Sequence, residues 1–309
     1  MKSVLAVLLL GATLGIAQTS ADTLFQNAQA AGREGDYRKA EFWLRQMQTD
    51  FPRDDRWGLS LVGIIDAQGR FDDALKLARE LQPRYAKNPT LFLEMGRLYS
   101  ELGRPAEALT EYQTALPLST SKDMTVSLRN MIGDSYRALG QLDQAIAEFR
   151  RAKALSGKAS LILALALSTK GNREDEAEYQ AVLKENPDQP AALNNLAYGW
   201  AERNVNLDAA LTMSQRAVTV TRGSALMLDT LGWVQFKKGL QAEAEKTLVD
   251  ALLMEGGNQD TLREHLAAVL DARAAWTPDR RTLRGLLDSG ASPNELAQMK
   301  TLLTKTRLP

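Results

Sequence analysis

The sequence predicts an all-α protein built from tandem pairs of helices, and three observations support this prediction. Glycines recur with a spacing of 34 residues or a multiple of it, at Gly35, Gly69, Gly103, Gly171 and Gly239. Apolar residues between them recur with helical spacing, whereas no segment shows the sustained period of two that is typical of strands. Repetition at a fixed period of this length indicates an array of helical repeats.

Two positions of this glycine lattice are occupied differently. The position expected at 205 falls within Asn204–Asn206, and asparagine is the residue after glycine that best tolerates a positive φ. The position expected at 137 is displaced to Gly140, which we attribute to a three-residue lengthening around Ser119–Asp123. A shortened turn at Ser156–Gly157 then restores the register.

Each period predicts two helices, and the segment from Thr90 to Leu118 shows this most clearly. Its first half carries an apolar stripe at helical spacing, formed by Phe92, Met95, Gly96 and Tyr99. Gly103 is the type of residue that ends a helix. Pro105 follows at a position where a helix begins without the need of a backbone N–H.

The order of large and small residues in this segment recurs along the chain. The segment carries Phe92, Met95-Gly96, Tyr99, Gly103, Ala108, Tyr112 and Ala115. Later segments carry Ile132-Gly133, Tyr136, Gly140, Ala145, Phe149 and Ala152, and then Leu231-Gly232, Gly239, Ala244, Leu248 and Ala251. This pattern resembles the tetratricopeptide repeat (TPR) over roughly residues 22–275. The resemblance implies a right-handed TPR helical solenoid of about seven or eight helix-turn-helix repeats.

Small residues at the motif positions have a steric purpose. Gly133, Gly232 and Ala145 allow two helices to cross closely, and large residues such as Tyr112 and Phe149 fill the gaps between repeats. One repeat cannot bury its own apolar face, so stacking against its neighbours must do so. We therefore interpret most of the motif aromatics as core residues.

The N-terminal segment, residues 1–21, predicts a secretory signal peptide. Lys2 supplies a positive charge, Val4–Ala17 is uncharged and mostly apolar, and small residues suited to cleavage end at Ala17 or Ala21. The alternative is an uncleaved membrane anchor, because the uncharged stretch approaches a spanning length. We expect a periplasmic or secreted location.

The C-terminal segment, residues 276–309, predicts a helical cap that seals the array of residues 22–275. A helix is expected over Arg280–Leu287, and Ser292–Glu295 has the pattern of a capping box that starts a last helix. The mild basic excess of residues 279–309 is interpreted as a solvated surface.

Composition excludes several classes of function. Lys plus Arg and Asp plus Glu both number 38, which gives no basic excess for nucleic acid. The chain has no Cys and one His, so we expect no metal site, and no cofactor motif is present. His265 lies on an apolar helical stripe, and the sequence suggests no acidic or serine partner for it. We therefore interpret His265 as a packing residue and expect no enzyme.

These observations predict a non-catalytic scaffold in the cell envelope that binds a protein or peptide partner in its concave groove. The alternative is a structural or assembly component of an envelope complex that acts through its convex face or caps. Contact with a membrane is expected only through a partner or an uncleaved N-terminal segment.

The TPR resemblance implies which side chains line the groove, because the first helix of each repeat faces inward. The inward positions hold Arg97, Asn130, Asp134, Arg137, Asn194, Tyr198, Asp229, Trp233 and Lys237. The family's Lys and Asn clamp for a C-terminal carboxylate is absent, since Leu93 and Asp134 occupy clamp positions. Among the groove residues, Tyr198 and Trp233 fall in adjacent repeats and are expected to form an aromatic pair ringed by polar groups.

Overall fold

The structure is a computed structural model that describes residues 20–254, 260–272, 278–289 and 294–295. Residues 1–19 of the predicted signal segment lie outside the described residues, which begin at Ser20. Within the described residues the chain forms sixteen α-helices and no strand, which confirms the all-α prediction. No helix in these ranges is both long enough and apolar enough to span a bilayer.

The chain divides into two compact units between Gly157 and Lys158. The helices of the N-terminal unit are α1 (Ala21–Arg33), α2 (Tyr37–Asp50), α3 (Arg56–Ala67), α4 (Phe71–Leu81), α5 (Pro89–Glu101), α6 (Pro105–Ala115), α7 (Lys122–Ala138) and α8 (Leu142–Ser156). The helices of the C-terminal unit are α9 (Leu161–Thr169), α10 (Glu174–Glu185), α11 (Pro190–Glu202), α12 (Leu207–Val220), α13 (Ala225–Lys237), α14 (Gln241–Leu252), α15 (Asp260–Ala272) and α16 (Pro278–Ser289).

The turns between paired helices use the residues that the lattice indicated. Gly103 follows α5 with a φ of 68°, in the left-handed region that favours glycine. At the lattice position without a glycine, Asn204 and Asn206 both have positive φ, at 56° and 50°. The expected substitution of asparagine for glycine is thereby confirmed, because asparagine tolerates a positive φ better than other non-glycine residues.

In the repeats that carry a motif glycine, the two helices pack closely because glycine lacks a side chain. A Cβ atom built on Gly96 would lie 2.5 Å from Cε1 of Tyr112, and one on Gly232 would lie 2.5 Å from Cγ of Leu248. Both distances are far below the optimum of about 3.5–4.0 Å for carbon atoms. The predicted steric role of these glycines is confirmed. The structure adds Gly58, which is in the same relation to Tyr85 and was not predicted.

The first helices of successive repeats also contact one another. In the N-terminal unit α1 contacts α3 and α3 contacts α5, and in the C-terminal unit α11 contacts α13 and α13 contacts α15. Successive second helices have no comparable set of contacts in the described residues. The first helices therefore lie on the inner side of each unit, which is where the sequence places the groove residues.

Helix α16 covers the segment Arg280–Leu287 that was expected to be helical. Its Leu283 and Leu287 are buried in a cluster with apolar residues of α14 and α15. The last predicted helix falls outside the described residues except for Asn294 and Glu295, which are helical.

Candidate functional site

The inner side of the C-terminal unit carries a row of ring systems that joins three first helices. The row consists of Tyr198 on α11, Trp233 on α13 and His265 on α15, and we name it the ring row. The His265 ring stacks on the Trp233 ring with 4.1 Å between centroids and 14° between planes. The centroid of the Tyr198 ring lies 6.0 Å from that of His265. The two aromatic residues of the predicted pair are thus linked through His265.

Trp233 is held at the surface by polar contacts and is only partly buried. Its Nε1 donates a hydrogen bond of 2.6 Å to Oε1 of Glu202. The ammonium group of Lys237 lies 4.6 Å from the Trp233 ring centroid and 4.0 Å from the same Glu202 oxygen. One side of the indole therefore packs on the protein, and its N–H edge meets solvent and charge.

His265 is buried with 6% of its surface exposed, as a packing residue should be. The expectation that it lacks an acidic partner is wrong, because His265 Nδ1 lies 2.8 Å from Oδ1 of Asp229. Asp229 is itself 8% exposed, so this carboxylate is committed to His265. The 36-residue separation could have indicated the contact, since it places the two residues at nearly equivalent positions of successive first helices.

Asn194 and Tyr198 lie one turn apart on α11. Asn194 is 4% exposed, and its Oδ1 has no hydrogen-bond partner in the part of the chain that the structure describes. Burial raises the pKa of the Tyr198 hydroxyl, and the carboxylates of Glu202, Asp229 and Glu264 raise it further. The surroundings of Tyr198 are therefore rich in acceptors and negative charge.

The predicted groove residues of the N-terminal unit are arranged differently, because their charges are paired within the protein. Arg97 binds Asp66 of the preceding first helix and Glu94 of its own helix. Arg137 pairs with Asp134 at 2.9 Å.

A cavity of about 540 Å³ lies beside the Asp134–Arg137 pair in the N-terminal unit, and Tyr112 and Met131 line it as well. Asn130 Oδ1 is buried without a partner among the described residues. The described residues of this unit thus line an open cavity, and they form no counterpart of the ring row.

Comparison with known proteins places these features in a family. Two models of the tetratricopeptide repeat match the chain, over residues 88–158 and 130–190. These matches identify residues 88–190 of the chain as tetratricopeptide repeats. Repeats of this family generally mediate protein interactions and act as non-catalytic scaffolds.

A curated relative and two solved structures are similar to this TPR protein. TPR repeat-containing protein PA4667 of Pseudomonas aeruginosa is 31% identical over 77 residues, which span 25% of the chain and 13% of that relative. A TPR protein from Parabacteroides merdae is 20% identical, with a TM-score of 0.57 over 81% of this chain and 98% of its own. The C-terminal part of a TPR repeat-containing protein from Cytophaga hutchinsonii is 14% identical, with a TM-score of 0.59 over 78% of this chain and 99% of its own. At these identities the two solved structures show the fold alone.

Proposed function

We propose that this TPR protein is a non-catalytic binding protein that holds a segment of another protein on the inner side of its C-terminal unit. The observation that carries the proposal is the ring row, in which Trp233 remains partly exposed beside Glu202 and Lys237. Aromatic residues surrounded by polar groups form the energetic centres of many protein interfaces.

The ring row suits this task because its members are already in place. Trp233 stacks on His265, and the Asp229 carboxylate fixes the His265 ring. A ligand that docks on a preorganised ring loses less conformational entropy on binding than one that must order a mobile side chain. The exposed part of the Trp233 ring then supplies desolvated contact area, while Glu202 and Lys237 supply polar contacts beside it.

We further propose that the protein is exported and acts in the periplasm or outside the cell. Lys2, the apolar stretch to Ala17 and the small residues that follow support this location. The partner would then be another protein of the envelope. The alternative is that the protein is an assembly component that acts through its outer face or caps. The experiment must distinguish this alternative from binding in the groove.

The experiment is capture of partners from the envelope fraction with the mature chain as bait, followed by affinity measurement for the captured protein. Trp233→Ala is expected to weaken binding by about 2 kcal/mol or more, the range of an interface hot spot. Phe42→Ala is the matched control, since Phe42 is an exposed aromatic residue of the other unit, with 57% of its surface exposed.

Circular dichroism must show that both variants remain helical. Unchanged affinity in a folded Trp233→Ala variant would refute the groove proposal. Loss of binding in Phe42→Ala alone would instead support an assembly role through another surface.

A further inference from the structure

The surface around Tyr198 is negatively charged on more than one side. Glu202 lies one turn after Tyr198 on α11, and Glu264 precedes His265 on α15. Both carboxylates, with that of Asp229, act on the Tyr198 hydroxyl. Asp229 is committed to His265, whereas the Glu202 side chain is 45% exposed and Glu264 is exposed. Glu264 and the exposed part of the Glu202 carboxylate can thus be reached by a ligand.

The rings beside these carboxylates are suited to a cation. The Trp233 ring already has the Lys237 ammonium 4.6 Å from its centroid, which is within the distance of a cation–π contact. Glu202 lies beside both groups, because it accepts a hydrogen bond from Trp233 and lies 4.0 Å from Lys237. Glu202 and the Trp233 ring therefore already hold the Lys237 ammonium group. Glu264 on α15 and the Tyr198 ring on α11 form a second combination of a carboxylate with a ring.

Asn194 adds an independent observation that points to a hydrogen-bond donor. Asn194 is buried, with 4% of its surface exposed, and its Oδ1 has no partner among the described residues. A buried acceptor without a donor is unfavourable, because it has lost its hydrogen bonds to water. Asn194, Tyr198 and Glu202 are four residues apart in turn, so they lie on one stripe of α11. The stripe therefore carries a buried acceptor without a partner, a ring and a carboxylate in succession.

We propose that this stripe, together with Glu264, takes a cationic side chain of the bound segment, an arginine or a lysine. The proposal rests on the proposed function and specifies the chemistry of the partner. An arginine fits best, because its planar guanidinium stacks on an aromatic ring while its N–H groups donate to carboxylate and amide oxygens. A segment with acidic residues at this place would meet like charges and be rejected.

The test uses two peptides of the same Ala/Ser background, acetylated and amidated, that carry either two arginines or two citrullines. Citrulline keeps the shape of arginine and removes its charge. Binding to the full chain is followed by calorimetry and by the NMR signal of the Trp233 indole N–H. The arginine peptide is expected to bind about tenfold more tightly than the citrulline peptide, as a desolvated cation–π and charge contact predicts.

A double variant, Glu202→Gln with Glu264→Gln, shows whether the carboxylates cause this preference. Glutamine retains an acceptor for Trp233 Nε1 and removes only the charge, so the ring row should persist. We expect the preference for arginine to fall to about twofold or less in this variant, since the charge contacts are lost. Glu243→Gln is the control, because Glu243 is an exposed carboxylate on the second helix α14 and should leave the preference unchanged.

Equal affinity for the two peptides, no shift of the Trp233 signal by either, or a preference that survives in the double variant would each overturn the proposal. These results differ from failure of the proposed function. If Trp233→Ala still abolishes capture of the envelope partner while arginine and citrulline bind alike, the groove binds a partner through neutral contacts.

Discussion

Substitution of Gly232 tests the steric reasoning on which the repeat assignment depends. Gly232 is buried in α13, and a Cβ atom there would lie 2.5 Å from Cγ and 2.8 Å from Cδ2 of Leu248 on α14. Leu248 is 0% exposed, so it has no free space into which to withdraw. Gly232→Ala must therefore separate α13 from α14 or force Leu248 out of its rotamer.

The expected magnitude follows from two opposing effects. Overpacking of a close-packed core costs about 1–3 kcal/mol. Replacing glycine by alanine within a helix contributes about 1 kcal/mol in the favourable direction. The first effect exceeds the second, and we expect Gly232→Ala to lower the free energy of unfolding by about 1 kcal/mol.

Gly285→Ala is the matched control in the same unit. Gly285 lies in α16, and a Cβ atom there would have no heavy atom within 4 Å. Only the favourable effect on the helix remains, so this variant should gain about 0.5–1 kcal/mol. Urea unfolding followed by circular dichroism at 222 nm compares the two variants. If Gly232→Ala gains as much stability as Gly285→Ala, the close crossing of α13 and α14 is refuted.

Two further predictions concern pH and export. Burial raises the pKa of the Tyr179 hydroxyl to about 12, whereas the pKa of tyrosine in the unfolded chain is about 10. The contribution of neutral Tyr179 to the free energy of unfolding is therefore fully present below a pH of about 10 and is lost as pH rises toward 12. Tyr179→Phe should flatten this alkaline loss in unfolding experiments at pH 9 to 12, and an unchanged slope would contradict it. For export, Ser20 Oγ accepts a hydrogen bond from the Thr23 N–H and caps α1, so we expect the mature chain to begin at Gln18, which retains the cap. N-terminal sequencing of protein from the native host decides this, and a start at Asp22 would show that the cap is dispensable.

The fold could be predicted from sequence because its determinants are local. Positive φ at Gly103 and Asn204 ends a helix within a few residues, and the pair Gly96–Tyr112 fixes a crossing between helices that are adjacent in the chain. The contact of Gly58 with Tyr85 was missed because its repeat matches the motif less fully. There the large residue lies in the segment after α4 and not within the second helix, so motif spacing gives no signal for it.

The candidate site was predicted in part, and the missing part depends on curvature. The repeat period places Tyr198 and Trp233 on neighbouring first helices, and both lie in the ring row. The contact between Tyr198 and His265 joins α11 to α15, which are separated by a whole repeat. Such a contact requires the first helices to converge on the inner side, and that convergence arises from the sizes of residues at every crossing between them.

The same dependence explains why the site should respond to changes outside it. The helices that carry the ring row are positioned by contacts such as that of Gly232 on α13 with Leu248 on α14. A wider crossing between α13 and α14 would move Trp233 relative to His265, which are now stacked at 4.1 Å. An aromatic contact depends steeply on this distance, and packing within one repeat thereby sets the geometry of a surface that three repeats share.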